Sequence, residues 1–98
     1  MEFLVTGLDG SDELALERRL SVREAHLELG KRMVAEGSLL YAAAILDENE
    51  KMVGSSMVVS FPSRAELEAW LEIEPYVTGK VWQSVNVVRC KPGAAFQK

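Results

Sequence analysis

The sequence predicts an α+β fold in the order β-α-β-β-α-β, with a four-stranded antiparallel sheet and two helices on one of its faces. Three observations predict it. Four short runs have strand composition, and two stretches carry a serine followed three residues later by a glutamate, the spacing that starts helices. The second and third strand runs are separated only by a short polar tip, which makes them a hairpin, whereas a helical stretch lies between each of the other pairs.

Glu2 to Leu8, EFLVTGL, is short and apolar with β-branched residues, and Gly7, Asp9, Gly10 and Ser11 supply turn formers, so it reads as the first strand. Asp12 to Leu20 has helix-forming composition, but the capping-box spacing of Ser21 and Glu24 places the start of the main helix at Ser21, after a turn of helix or a loop. Gly37 ends it, because glycine adopts a left-handed cap without steric cost. Leu39 to Leu46, LLYAAAIL, is too short for an independent helix and lies between Gly37 and a turn, so it is a strand despite Ala43 and Ala44. Alternation sets Leu39, Tyr41, Ala43 and Ile45 on one face and Leu40, Ala42, Ala44 and Leu46 on the other. Both faces are apolar, and both call for cover, one by helix and the other by a second subunit.

Asp47 to Lys51, DENEK, forms the hairpin tip, and Met52 to Phe61 returns as the third strand, with Gly54 leaving room for close backbone approach by a ligand. Ser63 and Glu66 start the second helix, whose apolar contacts come from Ala65, Leu67, Trp70 and Leu71. It ends before Pro75, and the proline pushes Glu74 into an extended conformation, so Glu-Pro-Tyr is a rigid junction carrying a carboxylate and a phenol. Val81 to Cys90 is the last strand and Lys91 to Lys98 a tail. This order is the split βαβ, or ferredoxin-like, arrangement, and its bare sheet face predicts a homodimer built sheet to sheet.

The 98 residues fit a single domain over 1–98 that buries somewhat over ~60% of its unfolded surface. A hydrophobic share of 48% and a charged share of 27% are those of an ordinary globular protein. The net charge of -4 argues against a general affinity for phosphate backbones, so no nucleic-acid partner is expected. Cys90 is the single cysteine, which excludes an internal disulfide, and no His/Cys cluster has metal-ligand spacing, so neither metal nor cofactor is expected. No run approaches 18 apolar residues and Met1 is followed at once by Glu2, which points to a cytoplasmic protein with no membrane partner.

The main helix holds the only histidine, His26. At 100° per residue, Val22, Ala25, Leu29 and Met33 fall within roughly an 80° arc, a core stripe. Beside it, within roughly 60°, lie Arg19, Arg23, His26 and Gly30, each one turn from the next. Leu27 and Val34 border them on the far side. A cationic strip with a titratable group, set between apolar edges, suits the binding of a small anion or the movement of a proton.

Arg19-Leu-Ser-Val-Arg23-Glu-Ala-His26-Leu, the helix ending at Glu36-Gly37, the hairpin with Gly54-Ser55, and Glu74-Pro75-Tyr76-Val77 together resemble the YciI-like (YCII-related) family over nearly the whole chain. The resemblance implies a ferredoxin-like fold of the dimeric α+β barrel superfamily. It also implies a site in which a histidine matching His26 approaches an aspartate from an Asp-Pro-aromatic motif. The wider superfamily includes isomerases, monooxygenases and dehydrochlorinases acting on small, often cyclic, anionic compounds. At the position of the family's aspartate this chain has Glu74, with the same charge on a side chain one methylene longer. DENEK is also shorter than the matching segment in many relatives.

Two readings of these residues follow. In the first, the protein is a small homodimeric enzyme for isomerisation, elimination or proton abstraction on a small organic anion, a cofactor-independent lyase or isomerase. His26 is then the base, Glu74 holds its tautomer, Arg23 and Arg19 clamp the anion, and Ser55 and Tyr76 complete the ligand contacts. In the second, it is a non-catalytic metabolite-binding or protein-assembly module. His26 is then a helix-flank histidine with a structural partner, the arginines bridge to Glu36, Glu74 or other acids, Ser55 is a strand hydroxyl, and Tyr76 and Trp82 are core or interface aromatics.

Overall fold

Strict alternation in the first strand sets the two faces of the sheet. In the computed structural model, which describes residues 1–96, Phe3, Val5 and Gly7 of β1 (Glu2–Asp9) are buried, while Leu4, Thr6 and Leu8 lie on the opposite face. β1 is followed by α1 (Ala15–Glu36), the hairpin of β2 (Leu39–Leu46) and β3 (Met52–Ser60), α2 (Arg64–Leu71), a one-turn α3 (Pro75–Thr78) and β4 (Trp82–Cys90). A 3₁₀ turn at Ala94–Phe96 closes the described chain, and the last two residues of the expected tail, Gln97 and Lys98, lie outside it. The strands order as β2-β3-β1-β4 with every neighbour antiparallel, and the helices cover one face. This is the expected βαββαβ arrangement.

The core lies between that face and the helices. Phe3 and Val5 of β1 and their cross-strand partners Val59 and Met57 meet Leu29 and Met33 of α1, Leu67 and Trp70 of α2, and Tyr76. At about 25 cal/mol per Å² of buried apolar surface, these side chains are the main force holding helices to sheet. Arg89 crosses the Phe3 ring at 5.7 Å, so its stem and guanidinium cover the edge of the core beside β4.

Four local expectations need correction. The main helix does not start at Ser21: α1 begins six residues earlier, at Ala15, and Ser21 sits inside it with its hydroxyl bonded back to the Arg18 carbonyl at 2.7 Å. An Arg18–Asp12 ion pair at 2.8 Å holds the first turn in place of a side-chain cap. The buried stripe of α1 also runs differently, through Arg19, Leu29 and Met33 with Val22 and His26 half-buried, while Ala25 is exposed. On the wheel this arc again spans roughly 80°, but it is turned toward the basic flank. Apolarity alone places the stripe at Ala25; the sheet beneath offers polar partners to Arg19 and so buries it instead.

The third correction concerns β2. Its register slips between Leu39 and Tyr41, so Leu39 joins Ala42 and Ala44 on the helix side, opposite Val59, Met57 and Ser55, rather than sharing a face with Tyr41. No helix seals this part of the sheet, because Ala42 and Ala44 are exposed and too small to bridge to α1. The fourth concerns Gly54, whose backbone is approached by the protein itself: a Cβ there would lie 2.7 Å from the Gly7 carbonyl oxygen and 3.3 Å or less from Leu8 and Ile45 side-chain atoms.

Other local rules hold. Gly37 takes φ 83° at the end of α1. Ser63 caps α2 by accepting from the Glu66 amide at 3.2 Å, with Leu67 and Trp70 buried and Ala65 exposed.

Candidate active site

The site forms where α1, α3 and the ends of β1, β3 and β4 converge. Its acid is positioned by local backbone chemistry. Glu74 is extended (φ -65°, ψ 120°) ahead of Pro75, the proline is the first residue of α3, and the Glu74 carboxylate caps that turn by accepting from the Tyr76 amide at 3.2 Å. The same oxygen, Oε1, meets Nδ1 of His26. Glu74 is 1% exposed, so the imidazole is held by a carboxylate that no longer samples solvent. A carboxylate oxygen can only accept, so Nδ1 donates, and in the neutral imidazole Nε2 is left as the acceptor. Among the described residues Nε2 has no partner, and His26 lines a cavity.

The imidazole plane is fixed by stacking. His26 lies parallel to the Tyr76 ring, with centroids 3.8 Å apart and 8° between planes, and Trp82 stands edge-on to both rings. Arg19 also sits over Tyr76, its Cζ 4.7 Å from the ring centroid. Burial pushes the Tyr76 phenol above the usual tyrosine range, partly offset by the positive charges of Arg19 and Arg23, so Tyr76 is a neutral phenol near neutral pH.

Arg19 is held within the protein. Its Nη1 donates to both carboxylate oxygens of Asp9 at 3.0 and 3.1 Å, and its Nη2 donates to Ser55 Oγ at 3.0 Å, with only Nε buried and unpartnered. The Trp82 indole reaches the same Ser55 oxygen at 3.3 Å. It can do so because β1 and β4 slip register between Leu8 and Asp9: Ser84, Asn86 and Val88 lie on the open face, and the irregularity turns Trp82 inward across Gly7. A Cβ on Gly7 would lie 2.3 Å from the indole, so only glycine fits beneath it.

Ser55 then has a constrained role. A hydroxyl has two lone pairs and one proton. Arg19 and Trp82 occupy both lone pairs, and no acceptor for the proton exists among the described residues. Ser55 lines the same cavity as His26, so its remaining hydrogen-bonding capacity is that of a donor to whatever enters.

The cavity measures ≈ 190 Å³ and is lined by the polar side chains of Arg19, Arg23, His26, Ser55 and Tyr76 together with Leu27, Ala42 to Ala44, Met52 and Met57. Arg23 is exposed and, among the described residues, makes neither ion pair nor hydrogen bond. With Arg19 matched to Asp9 and His26 to Glu74, Arg23 is the unmatched cation at this mouth. All six residues singled out in the sequence are therefore brought to one place. Sequence reasoning missed Asp9, taken as a turn former, and read Trp82 as a core or interface aromatic. An acid directly after an apolar strand is the only trace of Asp9, and nothing local announces its partner ten residues on. Among the described residues no group of three His, Cys, Asp or Glu side chains is placed to hold a metal ion, and no helix is long and apolar enough to cross a membrane.

Residues 1–91 match the model of the YCII-related domain. Protein YciI of Escherichia coli O6:H1 is 34% identical over 93 residues, covering 89% of this chain and 93% of that protein. An uncharacterized protein of Haemophilus influenzae is 38% identical over 78 residues, covering 74% of this chain and 80% of its own. The structure of 5-chloro-2-hydroxyhydroquinone dehydrochlorinase (TftG) from Burkholderia phenoliruptrix, in complex with 2,5-dihydroxybenzoquinone, shares the fold with a TM-score of 0.82 over 97% of this chain and 98% of that one, at 21% identity. By the match over nearly its whole length and by these relatives, the chain belongs to the YCII-related family.

Proposed function

We propose that the protein is an enzyme that moves a proton on a small organic anion, with isomerisation or elimination as the outcome. The observation that carries this is the free Nε2 of His26, held by a buried Glu74 at a cavity that the unmatched Arg23 also lines. Arg23 binds a carboxylate or enolate oxygen of the substrate through its guanidinium fork. Ser55, obliged to donate, holds a second oxygen. Nε2 accepts the proton, and Glu74 stabilises the imidazolium that results. In an isomerisation the same nitrogen returns the proton elsewhere; in an elimination a leaving group departs as the proton is taken. The fold neighbour supports the second outcome by its name, a dehydrochlorinase, and by the oxygen-rich ring compound in its structure. Tyr76 contributes its ring as the platform for the imidazole.

The reading includes a homodimer. Leu8, Tyr41 and Val88 are exposed on the open face of the sheet, a surface suited to packing against a second copy. Light scattering with Val58→Asp, at the centre of that face, tests the pairing: the wild type should run as a dimer and the variant as a monomer.

The test of the chemistry is exchange of substrate carbon-bound hydrogen with deuterium from solvent, followed by NMR over a panel of small keto acids and hydroxylated quinones. Exchange should be catalysed by the wild type and fall by about 10²–10⁴-fold in His26→Ala. If neither the wild type nor His26→Ala exchanges above the uncatalysed rate while Arg23→Ala loses binding, the protein binds such anions without acting on them, and the enzymatic reading is wrong.

A further inference from the structure

A helix interior is a costly place for glycine, and α1 carries one at Gly30, six residues before its end. Neither backbone nor packing explains it. Gly30 does not have a positive φ, and a Cβ added there would meet only Leu39 Cδ2, at 3.7 Å, an ordinary contact. Alanine would fit and would strengthen the helix. What the missing side chain leaves is space: Gly30 lies in the wall of a second cavity of ≈ 350 Å³.

This cavity is continuous with the candidate site, since His26, Leu27, Ala42 and Met57 line both, and Glu74 lines the second. Its character differs from that of the first. Leu27 and Val34, which border Gly30 on the helix wheel, are 45% and 58% exposed, large apolar groups left largely uncovered by the other described residues. Leu39 and Ala42 face them from β2. Only Lys31 at the rim is a charged group without a place in the proposed chemistry, and it pairs loosely with Glu28 at 3.6 Å. The two cavities thus form one groove, polar around Arg23 and Ser55, apolar over Gly30, with the histidine between them.

We propose that the slot over Gly30 is an apolar subsite, so that the ligand is an organic acid carrying an aromatic or branched hydrocarbon body rather than a bare small anion. This rests on the reading of Arg23, Ser55 and His26 as the anion site. The anionic end binds at Arg23 and Ser55, the body lies between Leu27, Val34 and Leu39, and the bond to hydrogen is presented to Nε2 where the two parts meet.

The experiment titrates the full chain with acetate and with phenylacetate, reading the amide and imidazole NMR signals, in the wild type and in Gly30→Ala, Gly30→Leu and Arg23→Ala. Phenylacetate should bind the wild type at least tenfold more tightly than acetate, because burying the ring is worth roughly that much or more. In Gly30→Leu this ratio should fall to near one, whereas Gly30→Ala should melt roughly 2–8 °C higher than the wild type, which shows that the glycine is not there for folding. If the ratio is unchanged in Gly30→Leu while Arg23→Ala still abolishes binding of both acids, the subsite is wrong and the anion site stands. If Gly30→Leu instead shifts the protein from dimer to monomer and leaves the ratio intact, the slot belongs to a second copy and the proposal falls. If neither acid perturbs His26 in the wild type, the anion site and the subsite fall together.

Discussion

The buried Asp9–Arg19 pair is the feature on which the whole site depends, and removing its charge on one side has a predictable size. Both side chains are under 5% exposed, and one guanidinium nitrogen meets both carboxylate oxygens at 3.0 and 3.1 Å. Asp9→Asn keeps the shape but leaves a buried guanidinium without its counter-charge, which costs about 3–5 kcal/mol. A chain of this length has about 5–15 kcal/mol in total, so the variant should lose roughly a fifth or more of its stability. At roughly 4–8 °C per kcal/mol for a domain of this size, the melting temperature should drop by at least about 12 °C. Urea unfolding of wild type, Asp9→Leu, Arg19→Met and Asp9→Leu with Arg19→Met closes a double-mutant cycle, with Asp9→Asn measured beside it. The double variant should be more stable than Asp9→Asn, because two apolar side chains need no partner. If Asp9→Asn lies within about 1 kcal/mol of wild type and the cycle shows no coupling, the pair does not organise the site, and the reasoning that frees Arg23 for a ligand fails with it.

Glu74→Gln retains an oxygen able to accept from the Tyr76 amide and His26 but no charge to stabilise an imidazolium, so turnover should fall by about 10²–10⁴-fold with little change in urea midpoint; equal losses of folding and turnover would mean that its role is structural. Ser55→Ala strands two buried donors, at ~1–3 kcal/mol each, and should weaken binding of oxygen-bearing ligands as well as stability. The raised Tyr76 phenol makes stability depend on alkaline pH. Below the unfolded value of about 10 the stabilisation is fully present; above it the unfolded chain sheds the proton that the folded protein keeps, so stability falls as pH rises toward the folded value. Urea midpoints between about pH 9 and 11 should therefore decline more steeply in wild type than in Tyr76→Phe, and parallel declines would contradict the burial of that phenol.

Much of the fold was legible because its signals are local. Capping at Ser63, the stop at Gly37 and the constraint that Pro75 places on Glu74 each involve residues within a few positions of one another, and all appear in the structure. The true start of α1 was not legible, because Ser21 with Glu24 has the spacing of a cap while Arg18 and Asp12, which hold the first turn, read as ordinary surface charges. The Glu-for-Asp change at residue 74 was visible, but whether the longer side chain still reaches histidine depends on how α3 sits against α1, and the structure brings Glu74 to His26.

By itself the sequence determined the order of elements, the antiparallel hairpin, the family and a basic flank on one helix, all properties of residue type and short spacing. Only the tertiary structure decided which arginine is matched and which is free. That choice depends on Asp9, Ser55 and Trp82, which come from three different strands and meet only after two register slips in the sheet have turned Trp82 inward and left β2 open over its alanines. A slip of one residue reverses which face a side chain occupies while leaving composition and spacing unchanged, and so no pattern along the chain records it.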